Sequence, residues 1–147
     1  MYQQLKEKLW SFIVHNNPDL MFNLQDEYKV TEYLETKVSG VMPKVLKLLE
    51  EEKEGHAILE LCMNEMTAEL KPSRYHYISS IIKDCFSAEY DKLREAGQLS
   101  YKAVLLVETC KEIFDVHNFC EQHMDDPEIK QQIINQVGHF FKQNTQN

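Results

Sequence analysis

From Tyr2 onward, apolar residues return every three or four positions along nearly the whole chain. At about 100° per residue that spacing lays them on one helical face. Tyr2, Leu5, Leu9, Phe12 and Ile13 form the first such stripe, and Val30, Tyr33, Leu34, Val38 and Val41 form the second. Ile58, Leu59, Cys62, Met63, Met66 and Leu70 follow, then Tyr75, Ile78, Ile81, Ile82, Cys85 and Phe86, and finally Ile129, Ile133, Val137, Phe140 and Phe141. No alternating β-branched run competes with this pattern, and glycine and proline number only four each. The fold class predicted is all-α, a compact multihelical bundle of about six to seven amphipathic helices with no sheet. With 147 residues, 43% of them hydrophobic, the chain has enough material for one cored domain, 1–147. Sub-lobes at 1–70 and 73–142 are compatible with the pattern, and the polar tail 143–147 is expected to fray.

Proline, glycine and capping residues divide the stripes. Asn17 and Pro18 close the first helix and restart the chain. Pro43 is expected to break or kink the second stripe, leaving PKVLKLLEEE as a short helix whose charged end EEEKEG is solvated. Pro72 stops the next helix and Ser73 caps another, which is expected to run to Arg94 with Gly97 as terminator. Ser100 is the expected N-cap of the following helix, with Leu99 closing on Val104 as a hydrophobic staple. The last helix starts with Asp126 as cap and Pro127 in its first position.

The helix after Ser100 is expected to contain CKEIFDVHNFCEQH, Cys110 to His123, where two cysteines and two histidines raise the question of a metal. On a helix, Val107, Cys110, Phe114 and His117 share roughly 80° of arc, with Ile113 and Cys120 on its flank, whereas His123 points well away. One helix therefore cannot gather all four ligands around a tetrahedral ion, and a zinc site would need Cys85 or His76 from elsewhere. A di-iron bundle requires Glu-x-x-His on two helices. The residues three before His15, His56, His76, His117, His123 and His139 are Phe12, Lys53, Ser73, Phe114, Cys120 and Gln136. With no HExxH, phosphate loop or nucleophile elbow either, the sequence predicts no catalytic residues, no metal and no cofactor.

Acidic residues outnumber basic ones, 24 to 16, for a net charge of −8. Such a chain is expected to bind duplex DNA weakly, because phosphate binding depends on a positive surface. The amphipathic start carries no signal-peptide pattern, and no apolar run approaches the roughly 20 residues of a spanning helix. No membrane association is expected, the expected compartment is the cytoplasm, and Cys62, Cys85, Cys110 and Cys120 should be free thiols there.

KPSRYHY concentrates the remaining interest. Ser73 should accept a hydrogen bond from the backbone N–H of Tyr75 or His76. Arg74 opposes the positive end of the helix dipole, so it needs a carboxylate partner or an anion beside it. Tyr75 is expected in the core and Tyr77 on a freer side. Ser73, Arg74, His76 and Tyr77 are thus the candidate anion or partner site.

The surrounding block LKPSRYHYISSIIKDCF, Leu70 to Phe86, resembles the signature of an uncharacterised family of small bacterial proteins, common in anaerobes of the Bacteroidetes and often encoded near conjugative mobile elements. Leu70, Ser73, Arg74, Tyr75, Ile78, Ile81, Ile82 and Phe86 match its pattern. HNFCEQHMDDPEIKQQIINQVGHFF is similar to the family's last helix through its acidic lead-in, Pro-Glu start and Gly138, and LKEKLWSFIVHNNPDL to its first. Asp84 and Cys85 depart from the Asn-Glu that members often carry, and the final helix lacks their Tyr-Thr-Glu run. The resemblance implies an all-helical fold and brings no known activity. The leading functional expectation is a non-enzymatic module that binds a protein partner as an accessory or regulatory factor of a mobile element. The alternative is a nucleic-acid role, through a patch of Lys71, Arg74, Tyr75, His76 and Tyr77 or through an acidic surface that competes with DNA. An enzyme using Cys, His and Glu in a cleft between helices ranks third.

Overall fold

A computed structural model describes residues 1–145, and these form nine α-helices and one 3₁₀ turn, with no strand among the described residues. The helices are α1 (Tyr2–Asn16), α2 (Pro18–Asp26), α3 (Val30–Glu50), α4 (Gly55–Thr67), α5 (Arg74–Cys85), α6 (Ser87–Glu95), α7 (Leu99–Thr109), α8 (Lys111–Val116) and α9 (Pro127–Thr145); the 3₁₀ turn is Ala68–Leu70. Of the tail expected to fray, residues 143–145 instead continue α9, and 146 and 147 lie outside the described residues. The chain divides between Lys71 and Pro72 into two compact units.

The all-helical expectation holds, but the count is nine rather than six or seven. Pro43 does not break α3, which runs through it. A proline in a helix interior costs about 3 kcal/mol through the lost N–H and the clash of its ring. Val38 and Val41 before it, and Val45 and Leu48 after it, are all buried. At roughly 1.5–3 kcal/mol per buried aliphatic side chain, that shared face outweighs the proline. Elsewhere the helices divide more often than expected. Residues 18–26 make a helix of their own, α5 stops at Phe86 instead of continuing to Arg94, and Cys110 separates α7 from α8. Just before that last break, Thr109 Oγ1 donates to the Leu105 carbonyl at 2.9 Å, a back-bond that bends helices. The helix expected to reach His123 ends at Val116, and His117–Asp126 is a series of turns.

Four helices end alike. Tyr28, Glu52, Gly97 and Asn118 adopt positive φ, from +50° to +69°. Each donates its N–H to the carbonyl three residues back, and the next residue donates five back: Lys29 to Leu24, Lys53 to Leu48, Gln98 to Leu93 and Phe119 to Phe114, at 2.8–3.1 Å. This is the Schellman closure, which satisfies carbonyls that a helix end leaves open.

The first unit is cored by Leu5, Leu9 and Ile13 of α1, Leu34, Val38, Val41, Val45 and Leu48 of α3, and Ile58, Cys62 and Met66 of α4. The second is cored by Ile78, Ile81 and Ile82 of α5, Ala103, Leu106 and Val107 of α7, Cys110, Phe114 of α8, and Ile129, Ile133 and Val137 of α9. These cores follow one plan. Leu9, Ile13, Leu34, Val38, Val41 and Val45 lie 69 positions before Ile78, Ile82, Ala103, Val107, Cys110 and Phe114, all buried. Ile58, Cys62 and Met66 lie 71 before Ile129, Ile133 and Val137. Asn17 and Phe86, also 69 apart, share an unusual backbone (φ −136°, ψ 58° and φ −135°, ψ 55°), each followed by a nine-residue helix. The main difference lies before the last helix of each unit. Residues 51–54 connect α3 to α4, whereas the longer segment 117–126 connects α8 to α9.

Candidate functional site

The N-terminus of α5 carries the residues singled out in the sequence. Ser73 Oγ accepts a hydrogen bond from the His76 N–H at 3.1 Å, capping the helix as expected. Arg74 Nη2 donates to Asp115 Oδ1 at 2.8 Å, and its guanidinium lies 5.0 Å from the centre of the buried Phe114 ring. The carboxylate that its position demanded is therefore present. His76 is exposed, its ring edge-on to Tyr75 at 5.4 Å.

Tyr75 packs against the core of the second unit as expected, though only half-buried, and its Oη lies 3.0 Å from Ser100 Oγ. Ser100 is thereby committed to Tyr75; α7 begins one residue before it, after Gln98, with no side-chain cap. Tyr77 is not the freer ring. It packs edge-on against Phe114 and Phe119 at 5.9 and 4.9 Å, and those two rings meet at 4.8 Å. The helical wheel separates Tyr75 from Tyr77 correctly, but Phe119 reaches Tyr77 only because the chain turns back at Asn118.

This turn also creates a feature that the sequence does not reveal. A cleft of about 260 Å³ opens between α5 and the 117–126 segment, lined by Tyr77, Ser80, Ile81 and Asp84 on one side and by Met124, Asp125 and Lys130 on the other. Beside the cleft, the hydroxyl of Tyr77 is buried from solvent with no hydrogen-bond partner. Burial, then the nearby charges of Asp125 and Asp126, push the phenol above its ordinary pKa, so it remains a neutral O–H. Ser80, Asp84, Asp125 and Lys130 are exposed, while Ile81 is buried and Met124 is half-buried. The available signal was the spacing of Tyr77, Ser80, Ile81 and Asp84, a single stripe of α5. Nothing in the sequence places the opposite wall.

The cysteine and histidine cluster separates. Cys110 is fully buried, and burial pushes its thiol up to about 11. His117 lies outside any helix and is half-exposed. Cys120 Sγ approaches His123 Nδ1 at 3.5 Å, but the same nitrogen is 3.0 Å from the Asn118 carbonyl oxygen. A carbonyl only accepts, so Nδ1 carries hydrogen and ties the turn together; it is not poised to deprotonate Cys120. Among the described residues, no three His, Cys, Asp or Glu side chains converge in a metal-ligating group.

No family model, curated protein or solved structure matches the chain. Among the described residues, no helix is long and apolar enough to cross a membrane.

Proposed function

We propose that this chain is a non-enzymatic, cytoplasmic helical module that binds a protein partner through the Tyr77 cleft of its second unit. The resemblance of residues 70–86 to small proteins encoded near conjugative elements suggests an accessory or regulatory role in such an element. The observation that carries the binding role is an open cleft whose walls carry the exposed side chains of Ser80, Asp84, Asp125 and Lys130. At about 260 Å³ the cleft is slightly smaller than the roughly 300–1,000 Å³ typical of small-molecule pockets, which suits one side chain of a larger partner. Arg74 is paired with Asp115 and Lys71 lies over the Phe12 ring, so the two cations of the alternative nucleic-acid patch both have intramolecular contacts.

Ser80→Trp tests this reading, because Ser80 is exposed and its replacement fills the cleft without disturbing the core. Affinity capture from the native cells should retain a protein on the wild type that the variant loses, with the melting temperature unchanged. Equal capture by both proteins, or capture of nucleic acid instead, contradicts it.

A further inference from the structure

We propose that the cleft receives the guanidinium of an arginine side chain on the partner. This rests on the reading of the cleft as the partner's seat and adds the chemistry of what enters it.

Hydrogen-bonding acceptors dominate its polar lining. Asp84 and Asp125 contribute carboxylates, Ser80 contributes a hydroxyl oxygen, and the Tyr77 ring forms part of the wall. Neither aspartate forms an ion pair among the described residues. A guanidinium presents five N–H donors in a planar fork, so it can serve several acceptors at once; an ammonium offers three from a single point. Ile81 and Met124 supply the apolar wall along which an arginine stem can lie. An anion would face both carboxylates with only Lys130 in its favour. The upward shift of the Tyr77 phenol, to which Asp125 and Asp126 contribute, reports a negative field in the same corner. The net charge of −8 also favours encounter with a basic surface. Another hollow, about 270 Å³ in the first unit, is a weaker candidate. Its Lys6 pairs with Glu35 at 3.7 Å and its Gln3 donates to Glu7 at 3.4 Å, so its charged side chains are already engaged.

The test is an NMR titration of the intact protein with N-acetyl-arginine methylamide, alongside the matching lysine and glutamate compounds. The arginine compound should shift the amides of Ser80, Asp84 and Asp125 and saturate in the millimolar range, several-fold tighter than lysine, while glutamate leaves them unmoved. Asp84→Asn and Asp125→Asn should each weaken the arginine response, and Lys130→Gln, which removes a competing cation, should strengthen it. A response to glutamate that Lys130→Gln abolishes would mark an anion site and overturn the proposal. So would equal shifts with all three compounds, or none up to tens of millimolar. The capture and titration experiments fail separately. If Ser80→Trp loses the partner but the cleft ignores arginine, the binding role stands and the arginine assignment falls. If the cleft takes arginine while capture is unaffected, the assignment stands and the proposed role falls.

Discussion

Cys110 and Ser73 show how much a single side chain contributes in this molecule. Cys110 is fully buried, and a serine there would bury a hydroxyl in need of a partner. Cys110→Ser should therefore lower stability by about 1–3 kcal/mol in urea unfolding. The thiol also sets a pH dependence. Its folded pKa of about 11 lies above the ordinary value of 9.0, so the folded state holds the proton more tightly. Its contribution is fully present below pH 9 and is lost as the pH rises toward 11, because only the unfolded thiol ionises readily in that window. Stability measured across that range should fall less steeply in Cys110→Ser than in the wild type. Ser73→Ala should cost about 1 kcal/mol, because it removes the hydrogen bond to the His76 N–H. Ser73 was legible because capping is local, and Cys110 because a helical stripe tells inside from outside. Tyr77 was not, because its ring neighbours Phe114 and Phe119 lie about forty residues along the chain.

At the level of elements, the Schellman ends separate what sequence encodes from what packing imposes. Gly97 and Asn118 advertise positive φ, since glycine has no Cβ and asparagine tolerates the region. Tyr28 and Glu52 carry no such signal, yet their helices close in the same way. Tyr28 is 96% exposed, so little packing offsets its strained backbone. Tyr28→Gly should consequently stabilise the protein by about 0.5–1 kcal/mol, and Gly97→Ala should destabilise it by about 1 kcal/mol, both read as shifted urea midpoints. α3 illustrates the opposite case, a strong local signal overridden. Pro43 argued for a break, and the buried face from Val38 to Leu48 kept the helix whole. The segment 117–126 was misread because the apolar period continues past Val116 while the backbone reverses at Asn118.

Across the whole molecule, two units repeat one arrangement of helices with little repetition of residues. Ile13 and Ile82, Leu24 and Leu93, and Val38 and Val107 coincide at the spacing of 69, but Val41 meets Cys110, Val45 meets Phe114 and Tyr28 meets Gly97. Burial and backbone geometry are kept where side-chain identity is not, so the repeat is hidden from the letters. Each unit has its own core, and residues 72–147 alone should give a helical circular-dichroism spectrum and a cooperative melt. The longer 117–126 connection distinguishes the second unit and supplies one wall of its cleft, so partner binding should belong to that unit. Ser11 and Ser80 provide the control, being equivalent positions 69 apart and both exposed. A photo-crosslinking amino acid placed at each in turn, in the intact chain in its native cells, tests the claim most directly. The account predicts one dominant protein adduct from Ser80 and none from Ser11; equal trapping at both, nucleic acid trapped at Ser80, or no adduct at either would contradict it.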